Sequence, residues 1–433
     1  MAVLSLSRPR RLMAMLFAPA MVIFLSSNLV NVGNLAFNML FSRWMGPELF
    51  GDLALVLTIK LALLVAMAAV QMSVSQHIAA ADITEADRTA CALALLNRAV
   101  FIVMWLVLPV VSFVLWQGDI ADKIGLGSPY LLLILASSLP FAAPLSILRG
   151  VAFGRENTAR ILASTNLEML VRLAGSVVVW KAGFGIEGVA AAIAVSIMVG
   201  WVCLIGLLPS PNKRTGSFGG IGRSLAVSAL PFGVLQLAQI LALDGDIFVI
   251  SASTLESQAG YVAALSLFQR IQFFACFILA SVILPRVAKA HHDGGSVLRE
   301  AQPAIVLYLA VACPFLLAAH LWPELLVSLL VGPEFAAAAA ALAPAALASA
   351  AFTASYLVAT FLAALNDRRG IWLTAATAVI QLVAMSFVAN SQTADFETLI
   401  QIKAGFQSLL CLSLLGLSIY QVGQQSTGSL TYS

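Results

Sequence analysis

Three basic residues and one acidic residue lie inside long apolar stretches of the sequence: Lys60, Arg172, Arg270 and Glu168. An ionised side chain at the centre of a membrane-spanning helix costs about 2.5–3.5 kcal/mol on insertion scales, so each one needs a partner, a water-filled cavity or a route to the interface. A cation held in such a place attracts an anionic group such as a phosphate. The alternative for Lys60 and Arg270 is that their long side chains reach the outer interface.

Lys60 and Arg270 occupy related places in the sequence. Gly51 and Gly260 each precede a long apolar stretch, and Lys60 follows its glycine by nine residues whereas Arg270 follows by ten. The difference of one residue is a rotation of ~100° around a helix. The two cations are therefore predicted at nearly the same depth of matching helices, and both are candidate substrate-binding groups, with Arg172 as a third.

The acidic residues suggest pairing or coupling. Glu168 precedes Arg172 by four residues, the spacing of an ion pair on one helix face, and the pattern predicts that pair. Asp244 and Asp246 follow the seventh apolar stretch, so they are predicted at the outer interface, where an ionised carboxylate is solvated. Glu168, Asp244 and Asp246 are candidates for coupling to H⁺ or Na⁺.

Uncharged amides form a second polar set. Asn31, Asn34 and Asn38 fall within a stripe of ~60° on the first apolar stretch, with Asn28 to one side. Further members of the set lie on other stretches: Gln71, Gln236 and Gln239. Such amides either hydrogen-bond between helices or line a hydrated cavity where they contact a polar substrate.

The elements that position these residues follow from composition. The chain has 433 residues, of which 61% are hydrophobic and only 10% charged, whereas a soluble domain has about 25% charged residues. One membrane-spanning helix needs ~20 apolar residues, and the sequence has about twelve stretches of that kind. This pattern predicts an all-α, polytopic membrane protein with about twelve spans. The predicted windows are 13–41, 50–76, 93–116, 128–149, 160–181, 186–208, 225–243, 260–285, 303–323, 337–364, 371–390 and 399–421.

The distribution of lysine and arginine predicts the orientation. One set of alternate loops contains sixteen basic residues, and the other contains only Arg43, Lys123, Lys181 and Lys403. The positive-inside rule then places both termini in the cytoplasm, which agrees with an even number of spans. A bacterial cytoplasmic (inner) membrane is the predicted location.

The halves of the chain resemble each other. A connector rich in Pro, Gly and Ser, Pro209–Gly222, lies midway and predicts two six-helix lobes, residues 1–211 and 212–433. The glycine alignment above and similar turns after the fourth and tenth windows indicate a parallel repeat. Such repeats are typical of transporters, whose substrate site lies in a central cavity between the two bundles.

No catalytic constellation is visible, so the sequence does not predict an enzyme. The five cysteines and four histidines have no metal-ligand spacing, and there is no phosphate-binding loop with its lysine. No metal or cofactor is expected, and any transport must be secondary or driven by the substrate gradient. A net charge of +3 is too small to indicate nucleic acid.

Several segments together resemble the bacterial O-antigen and exopolysaccharide flippases, the polysaccharide transporter branch of the multidrug/oligosaccharidyl-lipid/polysaccharide exporter superfamily. The segments are Asn34–Asn38, Arg43–Gly51, Asp246–Ile250, Ala259–Tyr261, Leu284–Arg286, Leu330–Phe335 and Asn366–Arg369. The resemblance covers nearly the whole chain. The chain departs from it in having fewer charged candidates than the family's cavity, and it lacks the two further spans usual in lipid II flippases.

The resemblance implies a function. Such flippases move an undecaprenyl diphosphate oligosaccharide, a lipid-linked polysaccharide repeat unit, from the cytoplasmic to the outer leaflet by alternating access. It implies membrane lipid as surroundings, and a polysaccharide polymerase and chain-length proteins as candidate partners. Two alternatives stay open: a multidrug or cation antiporter of the same fold, and a non-transporting scaffold of a polysaccharide assembly complex.

Overall fold

The computed structural model describes residues 19–80, 83–209, 218–292, 297–365, 367–391 and 394–430. Within these ranges the chain forms helices and no strands. The helices of the first part are α1 Pro19–Ala80, α2 Ile83–Gln117, α3 Ile120–Lys123, α4 Tyr130–Ala136, α5 Leu139–Gly154, α6 Thr158–Lys181 and α7 Gly185–Val202. The later helices are α8 Phe218–Ser251, α9 Ala259–His292, α10 Val297–Leu321, α11 Pro323–Leu330, α12 Leu342–Ala364, α13 Arg369–Ala389 and α14 Phe396–Leu430, with 3₁₀ turns at Glu256–Gln258 and Pro333–Ala341.

Ten stretches in these ranges are long and apolar enough to cross a bilayer. One of them, Leu25–Ala79, has 55 residues, more than twice the ~20 that one span requires. α9 adds 34 residues, or ~51 Å of helix. With α1 counted as two spans, the total is about twelve, and the prediction of an all-α polytopic membrane protein is confirmed.

Two glycine–proline turns interrupt the helices. Gly46 divides α1 with φ 70° and ψ 178°, and Gly332 precedes the 3₁₀ turn with φ 115°. Positive φ favours glycine, and the proline that follows each glycine lacks an N–H and starts a helix readily. The two turns lie together, because a Cβ on Gly46 would be 3.2 Å from Glu334 Oε2 and one on Gly332 would be 3.3 Å from Arg43 Cγ.

The two glycines aligned by the sequence repeat are in direct contact. A Cβ on Gly260 would lie 1.9 Å from the carbonyl oxygen of Pro47, and a Cβ on Gly51 would lie 3.0 Å from the nitrogen of Gly260. Only glycine allows this approach, so the second segment of α1 and the start of α9 begin side by side. Phe335 packs edge-on against Phe50 and Tyr261, one ring from each helix, and closes the contact.

The chain divides into two compact units. One comprises Leu63–Asp122 and Gly127–Leu230 with the chain up to Phe37, and the other comprises Asn38–Ala62, Lys123–Leu126 and the chain from Pro231. The first has an aromatic cluster in which Phe101 stacks on Trp201 beside Phe141. The second has one in which Phe273 contacts Phe352 and Tyr356. The division into lobes 1–211 and 212–433 stays a prediction.

Several helix boundaries differ from the predicted windows. The seventh window ends at residue 243, but α8 continues to Ser251 and includes both aspartates. Part of the tenth window, 337–341, is 3₁₀ rather than α-helical because the turn at Gly332 and Pro333 precedes it. The fourth window contains two helices, α4 and α5, separated at Ser137 and Ser138.

Part of the charge pattern lies outside the described residues. These positions are Arg8, Arg10, Arg11, Lys213 and Arg214, and Asn366 of the segment Asn366–Arg369 also lies outside the described residues. Lys403, assigned above to an outer loop, instead lies within α14 with a fully buried side chain, whereas Arg43, Lys123 and Lys181 are exposed, so the outer count falls from four residues to three. The cytoplasmic location of the termini stays a prediction.

Replacing Gly260 by alanine should destabilise the second unit, because the added Cβ would meet backbone rather than a movable side chain. We expect Gly260→Ala to lose about 1–3 kcal/mol of stability, the range for overpacked sites. The measurement is thermal unfolding in detergent, monitored by size-exclusion chromatography of the protein that remains folded after heating. Gly405→Ala is the matched control, since nothing lies within 4 Å of its Cβ; an equal loss in both variants would contradict the prediction.

Candidate functional site

A fully buried ion pair lies in the second unit. Lys403 Nζ donates to Asp246 Oδ2 at 2.6 Å, and both side chains have 0% exposure. The same ammonium donates to the backbone oxygen of Leu243 at 2.7 Å and to Gln269 Oε1 at 2.6 Å. The pair therefore connects α8, α9 and α14.

The partners of this pair are themselves held in place. Asp246 Oδ1 accepts hydrogen bonds from the backbone N–H of Ile247 at 3.2 Å and from Ser266 Oγ at 3.5 Å. Gln269 Nε2 donates to the oxygen of Ala345 at 3.1 Å, which adds α12 to the network. Both oxygens of the carboxylate are thus satisfied, as a buried charge requires.

Sequence reasoning missed Lys403. The charge count places Lys403 in an outer loop, whereas the hydropathy window 399–421 includes it in the twelfth span. The signal that could have identified it is a lysine between Ile402 and Ala404, inside an apolar window and seven residues after the start of α14.

A second ion pair involves the predicted cation Arg270. Its Nε donates to Asp244 Oδ1 at 2.8 Å, and its Nη2 donates to Thr58 Oγ1 at 3.2 Å. Asp244 is 2% exposed. The prediction that Asp244 and Asp246 lie at a solvated outer interface is therefore wrong, because α8 extends past them and both carboxylates are buried against basic side chains.

Lys60 lies two residues after Thr58 on the same segment of α1. It is 2% exposed, so its side chain does not extend to an interface as the alternative reading of the sequence required. The structure thus places Lys60, Thr58 and Arg270 in the same part of the second unit.

The first unit contains a third ion pair. Arg149 Nη2 donates to Glu168 Oε2 at 2.7 Å, and its Nε donates to Ser164 Oγ at 3.1 Å. Ser164 in turn donates to the oxygen of Gly200 at 2.9 Å. The sequence did not predict this contact, in which Arg149 extends from α5 to α6. Arg172 lies half-buried one turn further along α6, where the charge of Glu168 also acts on it, and the predicted Glu168–Arg172 pair stays a prediction.

The predicted amides are distributed over several environments. Asn31 is exposed, whereas Asn34, Asn38, Gln71, Gln236 and Gln239 are half-buried. The sequence did not single out Gln272, whose amide is fully buried and has no hydrogen-bond partner at either atom among the described residues. A buried amide of this kind is the usual site of an ordered water.

Outside the spans, two carboxyl groups have lowered pKa values. The pKa of Asp367 is lowered chiefly by the hydrogen bonds that Arg369 donates to it, and that of Asp395 by the hydrogen bonds from Thr398 at the start of α14. In the Asp367–Arg369 pair the arginine side chain is 57% exposed and the aspartate side chain 10%. Because solvent reaches its guanidinium, this pair is a reference for Asp246 and Lys403, whose side chains have no exposure.

Together these contacts define the chemistry of the site. Each of the three buried carboxylates in the described ranges, Glu168, Asp244 and Asp246, bonds to a basic side chain. Those ranges contain no cluster of three or more metal-ligating side chains. Within the described ranges, the arrangement thus compensates buried negative charge with basic side chains.

No protein-family model matches the sequence, and no curated protein matches it either. Solved structures do match. One is a multidrug resistance MATE family transporter of the MOP superfamily in an inward-facing conformation, with a TM-score of 0.74 and 16% identity over 92% of this chain and 96% of that one.

Two further structures share the fold. The lipid II flippase MurJ has a TM-score of 0.71 and 13% identity, covering 94% of this chain and 90% of its own. A MOP superfamily transporter from Pyrococcus furiosus, described as having a binding pocket of reverse polarity, has a TM-score of 0.62 and 13% identity over 94% of each chain. The likeness establishes the fold. These three structures are of transporters and a flippase rather than enzymes.

Removing Lys403 should be costly, because it leaves Asp246 buried without its cation. We expect Lys403→Met to lose about 3–5 kcal/mol of stability, the range for breaking one side of a buried pair. The salt is choline chloride, so that no small cation is present to replace the ammonium. Asp246→Asn combined with Lys403→Met should recover part of the loss, since the orphaned charge is removed. Thermal unfolding in detergent is the readout.

The control is Arg369→Met, which breaks the pair between an exposed arginine and Asp367 and should lower the melting temperature much less than Lys403→Met, since a solvent-screened pair contributes little to stability. An equal, small effect of Lys403→Met and Arg369→Met would mean that the buried pair does not stabilise the second unit.

Proposed function

We propose that this protein is a flippase for a lipid-linked oligosaccharide, an undecaprenyl diphosphate carrying a polysaccharide repeat unit. It would work in a bacterial cytoplasmic membrane, with both termini in the cytoplasm, and move the cargo to the outer leaflet by alternating access. The fold is shared with a multidrug resistance transporter and with the lipid II flippase MurJ.

The compensation of the buried carboxylates carries the proposal. An organic cation, as carried by a drug exporter, needs a buried carboxylate that is not already bound to a cation. Glu168, Asp244 and Asp246 are each bonded to Arg or Lys within 2.8 Å. A diphosphate instead needs basic groups, and charge-assisted hydrogen bonds from Lys and Arg are the strongest that proteins offer it.

The proposed roles fall to basic side chains and to amides. Lys60 and Arg172 would attract the diphosphate. Arg270 would contribute its remaining N–H groups, since it uses Nε on Asp244 and one N–H of Nη2 on Thr58, and a guanidinium has five. Sugar hydroxyls would contact the amides Asn31, Asn34, Asn38, Gln71, Gln236 and Gln239.

A multidrug or cation antiporter is the second candidate, favoured by the likeness to a multidrug resistance transporter. It would need at least one of the paired carboxylates to exchange its basic partner for a cationic substrate. A non-transporting scaffold of a polysaccharide assembly complex, with a polymerase and chain-length proteins as partners, is the third. A scaffold would tolerate neutral residues in place of Lys60 and Arg270.

Neutralising Lys60 should impair export of the lipid-linked cargo. We expect Lys60→Gln to accumulate the undecaprenyl diphosphate oligosaccharide and to reduce surface polysaccharide about 10–100-fold, since a hydrogen bond to a charged group contributes ~1.5–3 kcal/mol. Lys60→Arg should retain most activity. The measurement is quantitation of the lipid-linked intermediate in the native host, with membrane levels checked by immunoblot.

Lys123→Gln is the matched control, because Lys123 is exposed and lies outside the spans. Normal polysaccharide export by the double variant Lys60→Gln, Arg270→Ala, with normal amounts of the protein in the membrane, would refute the flippase assignment. Loss of drug resistance with normal polysaccharide in the same strains would favour the antiporter instead.

A further inference from the structure

The ammonium of Lys403 is enclosed by three oxygens. They are the backbone oxygen of Leu243 at 2.7 Å, Asp246 Oδ2 at 2.6 Å and Gln269 Oε1 at 2.6 Å. An ammonium has three N–H donors and no acceptor, so all three donors are used. We call these three oxygens the oxygen cage.

The chemistry of the oxygen cage is that of a hard-cation site. A carboxylate, an amide oxygen and a backbone carbonyl are the ligands that hard metal ions take in proteins. The ammonium of lysine is a compact point charge, comparable in role to such an ion. The cage contains one carboxylate, so a single positive charge neutralises it.

The cage is sealed within the second unit. Lys403, Asp246 and Gln269 all have 0% exposure, and the stem of Lys403 enters from α14 while the oxygens come from α8 and α9. A dissolved cation would therefore have to displace a side chain that is covalently attached and fully hydrogen-bonded.

We propose that the oxygen cage is a monovalent-cation site that the protein fills with its own Lys403. In the wild type the lysine takes the place of a dissolved ion, so Asp246 does not take part in sodium coupling. When the ammonium is removed and the stem retained, the cage accepts a small monovalent cation such as Na⁺. This inference is independent of the nature of the cargo.

The test compares sodium chloride with choline chloride at equal ionic strength and about pH 8, where a carboxyl group is normally ionised. The variant Lys403→Met keeps an apolar stem but lacks the ammonium. We expect sodium to raise its melting temperature in detergent by at least about 3 °C, because a ligand that binds only the folded state stabilises it. The wild type and Lys403→Arg, which retain a cation, should show no sodium-specific shift.

The double variant Asp246→Asn, Lys403→Met removes the carboxylate, and its sodium response should vanish. Absence of a sodium response in folded Lys403→Met, or persistence of that response in the double variant, overturns the proposal. If Lys403→Met does not accumulate, the wild type still decides. A sodium-specific rise in its melting temperature that Asp246→Asn abolishes would show that the lysine does not fill the site, whereas equal melting in the two salts supports the proposal.

Discussion

The second unit depends on the need to compensate charge in an interior that water does not reach. A lone ionised group there costs several kcal/mol even after relaxation, so a carboxylate persists only with a cation and further hydrogen bonds. Asp246 and Lys403, both with no exposure, meet this condition through Leu243 and Gln269. Satisfying one carboxylate thus brings α8, α9 and α14 together, and Gln269 adds α12 through Ala345.

The glycine contact makes the neighbouring pair possible. Gly51 and Gly260 touch at the start of their helices, and Thr58 and Arg270 meet again seven and ten residues further on. At 1.5 Å per residue these positions differ in depth by ~4.5 Å, which the long arginine side chain spans. A larger residue at Gly260 would separate the helices and remove Thr58 from the arginine, so backbone packing and charge compensation are linked.

The sequence predicted what depends on local pattern and missed what depends on tertiary contact. Hydropathy located the spans, and the repeat identified Gly51 and Gly260 before the structure showed them in contact. The contact of Glu168 with Arg149 was missed, because spacing within one helix cannot reveal that Arg149 approaches from α5. Asp244 and Asp246 were placed in solvent because they interrupt an apolar stretch, and only their basic partners on α9 and α14 allow α8 to continue.

Pairing also changes how the interior acts on a charged cargo. At an effective dielectric constant of ~20, a bare carboxylate about 4 Å from a phosphate would repel it by ~4 kcal/mol. A carboxylate bonded to an arginine or lysine presents a dipole whose effect on a passing anion is much smaller. Asp244, Asp246 and Glu168 are therefore compatible with an anionic substrate only because Arg270, Lys403 and Arg149 neutralise them. The same pairing disfavours a cationic substrate, which would have to compete with a cation that is part of the chain.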